Sequence, residues 1–257
     1  MADQQPTISH KLLTQIIAAN EVGSPERAYV LSHAGTAKSG YSVGAFQLDM
    51  AHRPEARDQV QTFLNGTGAF DADDLAAIEA GFLTTGNPAA IADALKSTID
   101  TQFATEAGHS MIDGLDAGQL NDLLDDIAQA MRNTQANPRY ADDGPFKMFS
   151  DSDLFQALIG DNANQYGPPN TFGRYMQGQA VTVGGVTLEL GNDPWNFQAF
   201  ASYESHYSYV QNSEQGARDM RRRRTNVINI LADNDALGDQ NQDEALQIIQ
   251  ATYQARV

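Results

Sequence analysis

Glu21 occupies a position in the sequence that suits acid–base chemistry. Apolar residues before it recur at spacings of three and four, and they predict an amphipathic helix that contains Ile8, Leu12, Leu13, Ile16 and Ile17. Glu21 lies four residues beyond Ile17, so it projects from the apolar side of the last turn, and a Gly-Ser-Pro run at 23–25 ends the helix. A carboxyl group shielded from water there keeps its proton more readily, because burial disfavours the charged form.

The segment SGYSVGAFQLD at 39–49 predicts short antiparallel strands after this helix, with 33–40 as their turn region. Ser42 is a polar side chain on a predicted strand, suited to positioning a sugar or a water molecule. Aromatic side chains that can stack on a sugar are interleaved with small residues. The sheet would form one wall of a groove for an extended chain, and our candidates for binding substrate there are Tyr41, Gln47, Phe46 and His33.

A carboxyl group beside a small sheet suits the cleavage of a glycosidic bond. That reaction needs an acid to protonate the departing oxygen, and a water molecule or a carboxylate to attack or stabilise the sugar cation. Glu21 is our candidate for the acid. Ser42 is our candidate for holding the water molecule, and Glu26 and Asp49 are the candidates for the second carboxylate.

Residues 40–47, GYSVGAFQ, resemble the hairpin of the lysozyme-like superfamily of peptidoglycan-cleaving enzymes, in which a glutamate ends the first helix. The phage-type pattern is G-Y-x-T-I-G-x-G-H, and Ser42 falls on its threonine while Gln47 falls on its histidine. The G-L-M-Q strand of goose-type lysozymes and lytic transglycosylases is more similar to residues 44–47. Residues 218–231, RDMRRRRTNVINIL, are similar to the arginine-rich helix that often closes the phage-type fold.

The resemblance implies a lysozyme-like fold, an α+β and mainly helical body with a small β-hairpin after the first helix. It also implies a muramidase that cleaves the glycan strand of peptidoglycan with Glu21 as general acid. Phage-type enzymes usually carry an aspartate six residues before the threonine, where this chain has Thr36, so the second catalytic group stays open.

Three alternatives to a muramidase stay open at this point. A lytic transglycosylase manages with one essential glutamate, as the resemblance to goose-type enzymes allows. A chitinase-like or chitosanase-like enzyme would cut another amino-sugar polymer. A non-catalytic binding or structural module of a phage particle or a secretion system would keep the fold without the activity.

The rest of the chain predicts a helical body with one further hairpin. Asp71 and Asp116 are predicted N-caps among helical patterns at 54–64, 71–82, 87–103, 116–131, 150–159, 194–209, 216–231 and 243–255. Alternating β-branched residues around Gly184 and Gly185 predict a hairpin at 181–190, and turn-forming residues predict a loop at 161–170. We expect one lysozyme-like domain over 1–257 with a helical insertion, and a sub-boundary in the turn-rich stretch 134–147.

Composition excludes several classes of function. The chain of 257 residues has a formal net charge of −17, with 16 Lys and Arg against 33 Asp and Glu, which disfavours nucleic-acid binding through a broad basic surface. The absence of cysteine excludes disulfides, zinc–thiolate sites and thiol nucleophiles. No run approaches the ~18 apolar residues of a transmembrane helix, so we expect no membrane insertion.

The first residues, MADQQPTISHKLL, lack the basic and apolar regions of a signal peptide. We therefore expect synthesis in the cytoplasm and action on the cell wall after release or delivery, as an endolysin, a virion-associated lysin or an injected effector. The expected partner is the peptidoglycan strand, with an immunity, delivery or virion protein as a further one.

One acidic segment follows the spacing of a calcium-binding loop, and its candidate ligands are Asp233, Asp235, Asp239, Asn241 and Glu244. Leu237 occupies a position at which such a loop usually supplies an oxygen ligand. Gly238, which fits the glycine of a calcium loop, also fits the C-cap of a helix. An acidic turn between two helices is therefore the alternative to bound calcium. No other cofactor is implied.

Two further clusters have a structural interpretation beside a functional one. The run RRRR at 221–224 predicts an ion-paired or solvated helix face, with substrate binding as the alternative. Tyr203 and Tyr207 belong to an aromatic, partly polar stretch with Glu204, and they are predicted to pack in the core or to stack on a sugar ring.

Overall fold

The computed structural model describes residues 5–34, 38–86, 90–137, 149–190 and 195–255. Within these ranges the chain forms eleven α-helices, one 3-10 helix and two small antiparallel sheets, which confirms the predicted mainly helical α+β class. None of the helices in these ranges is long and apolar enough to cross a membrane.

The elements before the longest helix are α1 (His10–Glu21), the 3-10 helix (Pro25–Tyr29), β1 (Ser32–His33), β2 (Tyr41–Val43), β3 (Leu48–Asp49), α2 (Pro54–Thr67), α3 (Ala72–Phe82) and α4 (Asp93–Phe103). The later elements are α5 (Glu106–Ala136), α6 (Asp153–Tyr166), α7 (Asn170–Met176), β4 (Val181–Val183), β5 (Val186–Leu188), α8 (Phe197–Glu204), α9 (Ser208–Gln211), α10 (Glu214–Asp233) and α11 (Gln242–Thr252).

The chain divides into two compact units. The sheet unit is residues 21–121, and the terminal unit is residues 1–20 together with 122–257. Helix α1 reaches the division with its last residue, Glu21, and α5 contributes residues to both units. Most contacts of each unit are therefore made within that unit.

The sheet of the sheet unit is antiparallel in the order β1-β2-β3. Ser32 pairs with Ser42, and Ser42 pairs in turn with Asp49. Because side chains alternate between the two faces of a strand, these three lie in one row on one face. The opposite face carries His33, Tyr41, Val43 and Leu48.

The apolar face of this sheet packs into the core of the sheet unit. Tyr41 is only 1% exposed, and its hydroxyl accepts a hydrogen bond from the backbone N–H of Ile91 at 2.9 Å. Its ring lies 6.3 Å from that of Phe82 at the end of α3. Asp100 on α4 accepts a 2.8 Å hydrogen bond from the Leu31 N–H, so α4 and the segment before it both hold the sheet.

Helix α6 is the central helix of the terminal unit, because every residue from 154 to 163 is buried. A Cβ at Gly160 would lie 2.8 Å from a methyl group of Leu13 and 3.3 Å from one of Ile127, so glycine allows the close approach of α1 and α5. The Gln156 side chain accepts hydrogen bonds from the backbone N–H groups of Thr7 and Ile8 at 2.8 and 2.9 Å.

Four charged side chains meet in the interior of the terminal unit. Arg224 is fully buried and donates to the carboxylates of both Asp161 and Glu204. Arg223 also donates to Asp161, at 2.6 and 3.1 Å. Tyr253 donates its hydroxyl hydrogen to Glu204 at 2.7 Å. Two carboxylates and two guanidinium groups leave this charge cluster neutral, which is the condition under which buried charges are tolerated.

Electrostatics within the charge cluster favour the charged forms. Burial acts to raise the pKa of Asp161, but Arg223 and Arg224 outweigh it and hold that pKa below its ordinary value. Burial acts to lower the pKa of Arg224, yet Glu204 and Asp161 raise it well above its ordinary value. The run at 221–224 is therefore partly a core element, while Arg222 forms an ion pair with Asp219, as expected for the predicted ion-paired helix face.

Several predicted boundaries differ from the structure; the helix predicted at 87–103 begins at Asp93, and the one predicted at 194–209 is divided into α8 and α9. Asp116 is not an N-cap, because α5 begins at Glu106 and passes through it; Ile112 and Leu115 continue the buried stripe upstream. The predicted loop at 161–170 begins instead as the last turns of α6, since Asp161 is held in the charge cluster. Of the predicted sub-boundary at 134–147, residues 134–136 end α5, and 138–148 lie outside the described residues.

The first prediction concerns the charge cluster. Arg224→Met should lower the free energy of unfolding by about 3–5 kcal/mol, because it leaves the buried Glu204 carboxylate without a cation. Urea denaturation followed by circular dichroism measures this loss.

Arg218→Met is the matched control, since Arg218 lies on the same helix with a 63% exposed side chain paired to Glu214. The control should cost less than about 1 kcal/mol. Equal losses in the two variants would contradict a stabilising role for the buried charges.

Candidate active site

Glu21 is the last residue of α1 and its side chain is half-buried. The chain turns immediately after it, because Gly23 has a φ of +80°, in the left-handed region that favours glycine. The 3-10 helix follows, and its residue Ala28 accepts a 2.9 Å hydrogen bond from the N–H of Gly44. This bond ties the segment after Glu21 to the end of β2.

Glu26 lies in the first turn of the 3-10 helix and is exposed. Hydrogen bonds from its own backbone N–H and from the Ser24 side chain hold the pKa of Glu26 below its ordinary value. An exposed acid of this kind is ionised at neutral pH, so it suits the role of base or nucleophile better than that of proton donor.

Residues 44–47 form the turn between β2 and β3, which we call the sheet turn. All four of its backbone N–H groups have partners. The Gly44 N–H donates to Ala28, and the Gln47 N–H donates back to the Gly44 carbonyl at 3.1 Å. The N–H groups of Ala45 and Phe46 donate to the Asp116 carboxylate at 2.8 and 3.4 Å. One side chain from α5 therefore completes the turn.

Gln47 holds the sheet turn from within. Its side chain donates to the Gly44 carbonyl at 3.2 Å, and its amide oxygen accepts from the Ser32 hydroxyl at 2.6 Å. Its φ of +51° is in the left-handed region, which is strained for a residue other than glycine. The predicted substrate-binding role of Gln47 thus coexists with an organising role, because these two bonds hold the strained conformation.

Asp116 is the ionisable residue that the sequence did not reveal. It is 8% exposed, and burial raises its pKa to about 6 against the ordinary 3.8, although the N–H groups of Ala45 and Phe46 act in the opposite direction. The nearby Asp113 carboxylate raises the pKa further. A buried carboxyl group without a cationic partner lowers stability at neutral pH, and such groups are concentrated at functional sites.

Helix α5 presents three polar residues to the segment around the sheet turn. Tyr29 stacks on His109 with ring centroids 3.7 Å apart, and its hydroxyl donates to Asp113 at 2.7 Å. Burial, followed by this hydrogen bond, raises the pKa of Tyr29 to about 12. His109, Asp113 and Asp116 have helical spacing, so a single stripe of α5 holds both the 3-10 helix and the sheet turn.

The predicted aromatic platforms lie in the core. Tyr41 and Phe46 are 1% and 5% exposed, so neither offers a free ring face to a sugar, and both contribute to packing instead. His33 is half-buried, and its ring lies 4.7 Å from that of Tyr41. The pattern of aromatic residues in 39–49 therefore reflects the apolar face of the sheet.

Ser42 and Asp49 share the polar face of the sheet with Ser32. Ser42 is 7% exposed, which leaves little room for a water molecule at its side chain. Asp49 accepts from the Ala51 N–H at 2.9 Å and lies 3.2 Å from His52 Nδ1. Asp49 therefore stabilises the turn after β3, which competes with its predicted role as second carboxylate.

The predicted calcium ligands do not form a cluster. In the ranges that the structure describes, no group of three or more His, Cys, Asp or Glu side chains is placed to hold a metal ion. Asn241, one of the predicted ligands, is the N-cap of α11 and accepts from the Glu244 N–H at 3.0 Å. This geometry corresponds to the alternative interpretation, an acidic turn between helices.

The second prediction concerns the pH dependence of stability. The pKa of Asp116 is higher in the folded chain than its ordinary value, so its contribution is favourable below pH 3.8 and is lost as the pH rises through about 6. Asp116→Asn cannot ionise, and its stability relative to wild type should rise by about 2 kcal/mol between pH 4 and pH 7.5. Urea denaturation at several pH values measures this difference.

Glu106→Gln is the control, because Glu106 is an exposed acid on the same helix. Its free energy of unfolding should stay within about 1 kcal/mol of the wild-type value at every pH. If Asp116→Asn differed from wild type by a constant amount from pH 4 to 7.5, the raised pKa would be refuted.

The third prediction concerns the close approach of α5 to the sheet turn. Gly44 has a φ of +87°, and a Cβ there would lie 2.4 Å from an Asp116 carboxylate oxygen. Gly44→Ala should therefore lower the free energy of unfolding by more than about 2 kcal/mol. Gly114→Ala in α5, where a Cβ meets nothing within 4 Å, should instead stabilise by about 0.5–1 kcal/mol. A neutral Gly44→Ala variant would contradict the described contact.

Comparisons with protein-family models, with curated proteins and with solved structures find no match to this chain.

Proposed function

We propose that this chain is a lysozyme-like muramidase that cleaves the glycan backbone of peptidoglycan with Glu21 as general acid. The observation that carries the proposal is the order and geometry around Glu21. A half-buried glutamate ends the first helix, and a three-stranded antiparallel sheet follows within the same compact unit. This order of elements is the one that the resemblance of residues 40–47 implies.

The reaction assigned to Glu21 is a proton transfer. Its carboxyl group gives a proton to the glycosidic oxygen while the bond between that oxygen and the anomeric carbon breaks. A water molecule then adds to the anomeric carbon and returns a proton to the Glu21 carboxylate. Protonation, bond cleavage and hydration together give one new reducing end and one new hydroxyl group.

The sheet turn supports this proposal by its rigidity. General acid catalysis needs the donor and the scissile bond held within hydrogen-bond reach. Ala28 and Asp116 hold the sheet turn from two sides, and Gln47 keeps a strained backbone at its end. Strain maintained by several hydrogen bonds is found at functional sites, where it keeps groups in their working geometry.

A lytic transglycosylase is the second candidate, and the contacts of Asp49 favour it. Asp49 is engaged with Ala51 and His52, which leaves Glu26, exposed on the 3-10 helix, as the other candidate for a second carboxylate. A transglycosylase uses a hydroxyl group of the substrate itself in place of the water, so it needs no second carboxylate. Its products carry anhydro ends instead of reducing ends.

The net charge bears on how the protein reaches its substrate. A formal charge of −17 opposes free adsorption to anionic cell walls, because like charges repel at long range. We therefore include delivery by a particle or secretion machine, with a virion or immunity partner, in the proposed function.

The fourth prediction is a loss of activity in Glu21→Gln. Wild-type protein should clear suspensions of Gram-negative cells with a permeabilised outer membrane, and Glu21→Gln should be slower by at least about 100-fold, because the amide cannot donate the proton. Turbidity at matched protein concentration measures the rate, and mass analysis of the soluble fragments separates reducing from anhydro ends.

Glu55→Gln is the matched control, because Glu55 is an exposed acid of the same unit and the substitution makes the same change of charge. It should clear cells at the wild-type rate. Equal clearing by wild type and Glu21→Gln would remove Glu21 as the acid. No clearing by wild type, with the fold intact by circular dichroism, would favour the non-catalytic module.

A further inference from the structure

A concave site, which we call the tyrosine pocket, lies entirely within the terminal unit. It has a volume of about 440 Å³, within the range of small-ligand sites. The end of α6, the loop at 167–169, the start of α7, the end of α8 and the start of α9 form its wall. The reaction assigned to Glu21 uses none of these residues, although the wall contains Tyr203 and Tyr207, which the sequence offered either for core packing or for stacking on a sugar ring.

The wall of the tyrosine pocket is aromatic and polar but uncharged. Four tyrosines line it, and the remaining side chains belong to Asn, Pro, Thr, Ser and Phe residues. Glu204, which follows Tyr203 of the wall in the chain, is directed into the charge cluster, where Arg224 and Tyr253 donate hydrogen bonds to it. The wall offers no charged side chain to pair with an ion, and its hydroxyl and amide groups suit a neutral polar ligand.

Two of the tyrosines offer exposed ring surface. Tyr166 is 42% exposed and Tyr209 is 43% exposed, and they are among the few large apolar side chains with such exposure in the described residues. The ring of Tyr166 lies 4.8 Å from that of Tyr207 at an angle of 56°, so Tyr207 supports Tyr166 from the side. Aromatic rings of this kind can stack on the C–H face of a sugar.

The tyrosine pocket is held in place by the core. The Asn162 amide donates to Glu204 at 2.7 Å and to the Tyr207 hydroxyl at 3.0 Å, which connects the pocket wall to the charge cluster. The Gly167 N–H closes α6 by donating to Ala163 at 2.8 Å, and two prolines restrict the loop that follows. A pre-formed wall binds a ligand without a large ordering cost.

We propose that the tyrosine pocket binds a neutral saccharide residue, with the exposed face of Tyr166 as its stacking platform. Hydroxyl groups of the wall both donate and accept hydrogen bonds, as do the hydroxyl groups of a sugar. A proline-rich peptide also suits tyrosine-lined grooves, but it offers mainly carbonyl acceptors and would leave the acceptors of the wall unpaired. The choice of an N-acetylated sugar as the ligand rests on the proposed function.

The fifth prediction tests this site by titration with the trimer of N-acetylglucosamine, followed by calorimetry. Wild type and Glu21→Gln should bind with equal affinity. Tyr166→Ala should weaken binding by at least about tenfold, and Tyr166→Phe should bind within about threefold of wild type because it keeps the ring face. Leu83→Ala, which removes another exposed apolar side chain, should leave the affinity unchanged.

The outcomes separate this site from the proposed activity. Loss of binding in Tyr166→Ala supports the tyrosine pocket whether or not Glu21 is catalytic. Unchanged binding in Tyr166→Ala, with unfolding curves that match wild type, would overturn the proposal. So would no binding of the trimer by wild type at millimolar concentration, or tighter binding of a proline-rich peptide than of the sugar.

Discussion

The hydrogen bonds from Ala45 and Phe46 to Asp116 are the constraint on which the sheet unit depends. The Asp116 carboxylate accepts from two N–H groups of the sheet turn that would otherwise be unpaired. It also brings α5 so close to Gly44 that a Cβ there would not fit. Burial outweighs the two hydrogen bonds, since the Asp116 pKa is raised to about 6 although each backbone N–H acts to lower it. The turn is thus kept in place by a carboxylate that lowers stability at neutral pH.

The buried carboxylates of the two units are stabilised in different ways. In the terminal unit, Asp161 and Glu204 are neutralised by Arg223 and Arg224, and their charges serve the packing of α6 and α10. In the sheet unit, the groups of the described residues that shift the Asp116 pKa are two backbone N–H groups and the Asp113 carboxylate, and none of these is a cation. Paired charges need only a structural explanation, whereas an unpaired one in the unit that contains Glu21 is a further reason to look for function there.

Local patterns predicted the parts of the fold that depend on neighbouring residues. The Asp71 cap, the hairpin at Gly184 and the helix that ends at Glu21 follow from periodicity and turn chemistry, and the structure contains all three. The role of Asp116 was not predictable in this way, because its partners at 45 and 46 lie about seventy residues earlier in the chain. The same holds for the burial of Arg224, whose acidic partners are brought to it by tertiary packing.

Tyr41 and Phe46 illustrate the converse, since a pattern of aromatic residues that suits a sugar-stacking platform equally suits the inner face of a sheet.

Carboxyl titration by NMR tests most directly whether a buried Asp116 holds the sheet turn. The Asp116 side-chain carbon and the amide protons of Ala45 and Phe46 would be followed from pH 3 to pH 8 in labelled protein. A common midpoint near pH 6 at all three positions is the result that the hydrogen bonds and the raised pKa predict. A midpoint for Asp116 near 3.8, with the two amides unresponsive to it, would contradict the account.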